Sequence, residues 1–369
     1  MFAAVSAVFA GAGKMDRLFT IRMADEALVT TFERQVDGKL LVAGKFVTVG
    51  SLVRRDIMRV NADGTIDPSF DIGSGIGATG AVFTLKYLPD GRIYAGGTFN
   101  QVNGQFVSRL VRMNANGVVD TAFTLSGLDV TFVFDIDTQP DGKIFISAAN
   151  LIGSSFIARF TSSGANDTGF GQPFYVSGGT TNYHIVFLPA ENKLLAGASV
   201  FGQSFQGLVM KLAAAGGVDN NFLINLTAVA GSSQLVWTAP MNDGRFLVWG
   251  RFDTIAGVPR KNLAILNANG TVDASFVPQT ESTGTILATE VQADGKIIVG
   301  GRDFTPNGVL HGNIGRLNTD GTVDRSFDPG RGANGAVESL VILDGKVLVG
   351  GSFFRYDHNP AAGLIRVRL

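Results

Sequence analysis

Seven copies of one short pattern, all in the same phase, restrict this chain to a repeat architecture. An acidic residue, a turn residue and a cation precede an apolar run at Asp37-Gly38-Lys39, Asp90-Gly91-Arg92, Asp141-Gly142-Lys143, Glu191-Asn192-Lys193, Asp243-Gly244-Arg245, Asp294-Gly295-Lys296 and Asp344-Gly345-Lys346. The copies are spaced by 53, 51, 50, 52, 51 and 50 residues. A second pattern, Gly-x-x-Asp-x-x-Phe, recurs seven times in the same phase: Gly13 to Phe19, Gly64 to Phe70, Gly117 to Phe123, Gly164 to Phe170, Gly216 to Phe222, Gly270 to Phe276 and Gly321 to Phe327. A fixed period of this length means stacked supersecondary units, each unable to bury its apolar face alone.

The second copy shows what the unit is. Val82 to Leu88 alternates and ends at Pro89-Asp90-Gly91, a hairpin signal. Arg92 to Gly97 follows, then a loop with Asn103-Gly104, then Ser108 to Asn114, then a turn into Gly117 to Phe123. Four short antiparallel runs in about 50 residues describe a propeller blade. Asn192 replaces glycine in one hairpin. Asparagine is the non-glycine residue that best tolerates positive φ, so the turn requires a left-handed residue.

The seventh copy ends at Leu369, inside its third run, whereas the first Gly-x-x-Asp-x-x-Phe precedes the first hairpin. Residues 13–19 therefore supply the missing fourth strand. The expected fold is all-β: a seven-bladed β-propeller of four-stranded antiparallel blades over 13–369, closed by pairing of the N-terminal strand with the C-terminal blade. Such closure removes exposed sheet edges. Residues 1–12 lie outside the pattern and read as an apolar leader that docks on its own domain or on a neighbour. The start, Met1 to Gly13, lacks the basic region of a secretory signal.

Most repeated residues read as scaffold. A cation stands eleven places before the phenylalanine at Arg59, Arg112, Arg159, Lys211, Arg316 and Arg366; the fifth copy has Ile265. Across a tight hairpin Arg59 and Asp67 become cross-strand neighbours, a pairing that contributes about 0.2 to 1 kcal/mol. A calcium loop is not expected at these turns, since Thr161 to Gly164 and Ala213 to Gly216 hold no carboxylate. Phe46, Phe99, Phe252, Phe304 and Phe353 follow the second run and are expected to pack between blades, with the phenylalanines of the second pattern.

Composition removes several function classes. The 30 Lys and Arg against 31 Asp and Glu leave a net charge of −1, without the basic footprint that nucleic acid requires. With no cysteine, neither disulfides nor thiol chemistry arise; three histidines (His184, His311, His358) give little for a metal cluster. No run reaches the ~18 to 20 apolar residues of a membrane-spanning helix.

The segments Asp294-Gly-Lys-Ile-Ile-Val-Gly-Gly301 and Arg316-Leu-Asn-Thr-Asp-Gly-Thr-Val-Asp-Arg-Ser-Phe327 resemble the delta-60 repeat propellers of bacterial and phage proteins. The resemblance covers about residues 14–369. Copies three and four depart most, at Ser147-Ala148-Ala149 and Ala196-Gly197-Ala198, and Trp249 intrudes in the fifth. It implies a propeller used for binding or as a structural part of surface and virion assemblies, and carries no catalytic residues.

No sialidase-type box or nucleophile elbow is present. The Gly73 to Gly77 run mimics a phosphate loop but opens no helix. A ligand or partner site is expected where copies differ, in loops on one face: Asn103, Gln105, Tyr175, Tyr183, Phe205, Arg260, Arg331, Tyr356 and His358. The sequence thus predicts a non-catalytic structural or adhesive module of a phage tail, virion or bacterial surface assembly. Its expected partners are proteins, with no metal, cofactor or nucleic acid. The alternative is a propeller that binds glycan or peptide through its loop face, ahead of a propeller enzyme.

Overall fold

In a computed structural model the described residues are 11–16, 19, 21, 23, 27–50, 52–77, 80–171, 173–175, 183–200, 206–227, 236–281, 284–303, 305–306 and 312–369. The expectations for residues 1–10, Phe205 and Phe304 fall outside them. The chain is all-β, with one short 3-10 turn at Thr168–Phe170 among the described residues.

Seven antiparallel sheets of three or more strands follow one another along the described chain. The first contains Leu28–Arg34, Leu40–Lys45 and Ile57–Val60; the second Val82–Tyr87, Ile93–Gly97 and Leu110–Met113. The third contains Phe132–Thr138, Ile144–Ala149, Ser155–Phe160 and Phe174–Tyr175. The fourth contains Tyr183–Leu188, Lys193–Val200, Gln206–Ala213 and Val218–Thr227. Val236–Pro240, Phe246–Gly250 and Leu263–Leu266 make the fifth, and Thr285–Val291, Ile297–Arg302 and Ile314–Leu317 the sixth. The seventh contains Ala336–Leu343, Lys346–Ser352 and Leu364–Arg368.

Burial explains the composition of each strand. Second strands are buried on both faces, as over Ile93–Gly97, because each sheet is stacked between two others. First strands are only partly buried, as over Leu28–Arg34, because they form the inner edge. Glycine in the second strands allows the close stacking. A Cβ at Gly96 would lie 2.6 Å from Val133 Cγ1, and one at Gly300 2.4 Å from Val337 Cγ1.

The fourth run departs from expectation. In the first, second, third, fifth and sixth sheets it makes only an isolated bridge: Val60 with Ile66, Met113 with Val119, Phe160 with Asn166, Leu266 with Val272, and Leu317 with Val323. The repeated aspartate interrupts the ladder by accepting the backbone N–H two residues on, and in the fourth sheet, where Asp219 does the same, pairing resumes beyond it at Leu223. Ser69, Ala122, Gly169, Asn221, Ser275 and Ser326 donate to Asp67, Asp120, Asp167, Asp219, Asp273 and Asp324 in this way. Only the fourth sheet extends this run into a long strand, Val218–Thr227.

Residues 13–16 pair with the seventh sheet. Gly13 N donates to Arg368 O at 2.8 Å, Asp16 N to Arg366 O at 2.7 Å, and Arg368 N to Lys14 O at 3.0 Å. Tyr356, expected in an open loop, is instead fully buried, and its hydroxyl donates to Gly13 O at 2.8 Å. Its apolar ring fills the core while its polar tip holds the N-terminal segment.

Arginine–aspartate pairing is seen at Arg59–Asp67 (2.8 Å), Arg112–Asp120 (2.7 Å), Arg159–Asp167 (2.7 Å), Arg316–Asp324 (2.8 Å) and Arg366–Asp16 (2.9 Å). The fourth sheet exchanges partners: Lys211 pairs with Glu191 and Lys193 with Asp219. In the fifth, where Ile265 replaces the cation, Arg245 takes Asp273. Each central cation also lies over the repeat phenylalanine, from Arg59 over Phe70 at 5.2 Å to Lys211 over Phe222 at 4.4 Å. Burial raises Asp67, but hydrogen bonds from Lys39, Ser69 and Arg59 outweigh it and hold the carboxyl well below its ordinary range.

Candidate functional site

The inner edges of all seven sheets line one cavity of about 520 Å³. Its geometry comes from β-bulges. In the first strands of sheets one, two, three, six and seven the register skips one residue, leaving Thr30, Phe83, Phe134, Leu287 and Glu338 without a partner. A bulge re-aims the extra side chain, and all five line the cavity. His184 and Val236 occupy the same repeat position in sheets four and five without a bulge, and line it too. These residues stand seven places before the hairpin acid, or six in the last copy.

Behind this ring, carboxylates tie neighbouring inner strands together. Asp135 Oδ1 accepts from Thr84 Oγ1 (3.0 Å) and Ile136 N (2.9 Å), and Oδ2 accepts from Ile185 N (2.9 Å) in the next sheet. His184 Nε2 faces the same Oδ2 at 3.6 Å, while its Nδ1 is buried without a hydrogen-bond partner. Burial pushes the Asp135 carboxyl up, opposed by His184 and the backbone donors. Glu33 accepts from Tyr87 N at 2.8 Å, Asp137 from Phe187 N at 2.6 Å, and Glu290 from Ile342 N at 3.1 Å. An inner edge strand has N–H groups with no strand beside it, and these carboxylates satisfy them. Burial raises Glu33 to about 7, against the attraction of Lys86.

Trp249 sits in the repeat position held by Gly96, Gly300 and Gly350 elsewhere. Its cross-strand partner is Trp237, its indole N–H donates to Leu287 O at 3.3 Å, and its ring meets His184 at 5.9 Å. Neighbouring inner strands are in close contact at every other junction, but between sheets five and six contact passes through the second strand of sheet five. Trp249 is the wedge. It lines the central cavity on one side and a groove of about 420 Å³ between sheets five and six on the other. Across the central cavity, Phe83 and Phe134 stack within 4° of parallel, and Phe132 continues the stack within 6°.

The expected loop residues do not gather into one site. Asn103 (φ 48°) and His358 (φ 66°) form tips of two-residue hairpins. Asn103 Oδ1 accepts from Ser74 N, and Arg331 N donates to Asp357. Gln105 lines a hollow of about 270 Å³, and Tyr175 a separate one of about 230 Å³. Arg260 is turned inward onto Phe276 O and Asp273 O. Tyr183 begins the inner strand of sheet four, and its side chain is outside the described set. No group of three potential metal ligands occurs among the described residues. No helix of the described residues is long and apolar enough to cross a membrane.

Five segments, 35–70, 88–123, 242–276, 292–327 and 343–368, match the family described as a domain of unknown function (DUF5122) beta-propeller. The chain carries β-propeller repeats. Every matched segment begins near a hairpin acid, and the first four end at the repeat phenylalanine. No curated protein matches the chain. Among solved structures it is similar to the WD40 beta propeller domain of Doa1, at 12% identity and TM-score 0.55, covering 95% of both chains. It is also similar to the extracellular domain of a putative one component system from B. thetaiotaomicron, at 11% identity and TM-score 0.58, covering 95% of this chain and 40% of that one. A third similar structure is a catalytically inactive virginiamycin B lyase from Staphylococcus aureus with quinupristin, at 13% identity and TM-score 0.56, covering 95% and 99%. At these identities the likeness carries the propeller fold alone.

Proposed function

We propose that the seven sheets are seven blades of one closed ring of the delta-60 type, and that the chain is a non-catalytic binding module which takes a ligand in its central cavity. The observation that carries this is the ring of seven repeat positions, Thr30, Phe83, Phe134, His184, Val236, Leu287 and Glu338, around one solvent-open space. Aromatic faces with a few convergent polar groups are the usual make-up of a small-molecule site. Both oxygens of Asp135 are already engaged by protein donors, which supports a structural role for this carboxylate over acid–base work. Both tryptophans of the chain line the cavity, so tryptophan emission reports on it, Trp249 reporting also on the groove beside it. A panel of glycans, short peptides and small metabolites should contain a ligand that shifts the emission saturably, and Ser339→Phe should abolish the shift. Binding that survives Ser339→Phe, or turnover of the ligand, would contradict this reading.

A second reading concerns where the module works. Phe354, Val53, Phe106 and Ile152 are 62%, 55%, 89% and 85% exposed, on the second-to-third-strand connections of sheets seven, one, two and three. Apolar tips on consecutive blades support placement in a protein assembly, for which a virion or bacterial surface is the proposed site. Immunogold labelling of particles and cell envelopes tests this; label confined to the cell interior would count against it.

A further inference from the structure

We infer that the ligand of the central cavity is an organic ammonium ion with an aromatic or apolar body, a step that rests on the cavity-binding reading above. The hydrogen-bonding state of the lining groups leads there. Thr30 Oγ1 gives its proton to Val82 O at 2.8 Å or Ala43 O at 3.2 Å. Thr84 Oγ1 gives its proton to Asp135, and Trp249 gives its indole N–H to Leu287 O. These protons are committed inside the protein, so the two hydroxyls offer the cavity only lone pairs. The titratable groups that line it are Asp135, His184 and Glu338. Two are carboxyls; among the described residues Arg302 reaches Glu338 from the rim, its Nη2 3.0 Å from Oε1 and its side chain 63% exposed, while Lys86 attracts Asp135 from behind the wall.

The remaining wall is aromatic. Phe83 and Phe134 form a near-parallel stack, and Trp237 lies beside Trp249. A π face attracts a cation and is indifferent to a neutral hydroxyl of the same shape. Acceptors, a carboxylate and π faces around one space together favour a positively charged N–H donor. The hydroxyls of Thr31, Ser199, Thr289 and Ser339 also line the space and carry no charge, so they do not select between a cation and an anion, whereas an anion would meet Glu338 at close range. Glu338 is the residue that selects charge, and Arg302 competes with the ligand for it.

The test uses the full chain and three probes of one shape: phenethylammonium, 2-phenylethanol and phenylacetate, each followed by tryptophan emission at neutral pH. Phenethylammonium should bind at least tenfold more tightly than the alcohol, and phenylacetate should not bind. Glu338→Gln should reduce that preference to under threefold without altering the melting temperature. Arg302→Gln should tighten phenethylammonium binding several-fold by freeing the carboxylate. Equal or tighter binding of the alcohol or phenylacetate would overturn the ammonium assignment while leaving cavity binding intact. Silence with all three probes would also overturn it, and the wider panel above would then decide cavity binding separately. An unchanged preference in Glu338→Gln would remove Glu338 from the account.

Discussion

A nearly buried arginine needs each of its donors answered, and Arg112 shows how the repeat does it. Its Nε meets Asp120, its Nη1 reaches Ser162 O in the next sheet, and its plane lies over Phe123 at 5.1 Å. The pairing was legible in sequence because the cation and the aspartate keep a fixed spacing around a hairpin. The link to the next sheet was not, since it lies outside one repeat, and the stacking was not because a spacing of eleven does not by itself set a guanidinium over a ring. Arg92 Nη1 remains 3.6 Å from Asp120 when Arg112 is removed, so Arg112→Ile should cost about 1–3 kcal/mol in urea unfolding, from the lost charge-assisted hydrogen bonds. The double variant Arg112→Ile, Asp120→Asn should recover part of that loss, as the Ile265 copy already dispenses with the cation. A double variant no more stable than the single one would contradict this. Glu33 makes a pH prediction. Its folded value of about 7 exceeds the ordinary 4.5, so the folded state holds the proton more tightly. Its contribution is therefore full below about 4.5 and is lost as pH rises through about 7. In Glu33→Gln the fall in stability over that window should flatten, by about 1–2 kcal/mol at pH 8; an unchanged pH profile would contradict it.

Among the elements, the hairpins follow local chemistry most closely. Asn192 has φ 52°, the left-handed turn residue that its lone departure from glycine implied. Asn192→Val should destabilise by about 1–2 kcal/mol, whereas Asn192→Gly should be near neutral in thermal melts. The fourth runs read as strands because they alternate, but in five sheets they make a single bridge before the aspartate's side chain closes a turn, and only in the fourth sheet does the ladder resume beyond it. The central site was hidden for a different reason. Its seven positions carry Thr, Phe, Phe, His, Val, Leu and Glu, so no residue type marks them, and the bulges that re-aim five of them leave no sequence signature. Distance from the hairpin acid was the usable signal. Trp249 was visible as an intruder, and its place in a glycine position foretells a wedge. Trp249→Ala should cost about 3–5 kcal/mol and join the central cavity to the groove beside it. Retained stability with unchanged probe binding would show that the wedge is dispensable.

At the scale of the molecule, the order of sheets follows the order of repeats, and contacts run from each to the next. Thr30 reaches the second sheet, Thr84 the third, Asp135 the fourth and Trp249 the sixth. Glu290 accepts from Ile342 in the seventh. Arg366 of the seventh sheet reaches Asp63 O of the first at 3.3 Å, and Arg34 of the first reaches Ile342 O. The central claim is that the two ends of the chain share one sheet. Met15 and Val367 are opposed there between the bonds from Asp16 N to Arg366 O and Arg368 N to Lys14 O. That makes them a non-hydrogen-bonded pair, whose side chains lie closest. The chain has no cysteine, so Met15→Cys with Val367→Cys provides a clean test. Under mild oxidation we expect an intramolecular disulfide, seen by mass and by gel mobility, and a higher unfolding midpoint because the bond closes almost the whole chain into a loop. Failure to form the bond in the folded protein, or bonding only between molecules, would contradict the account.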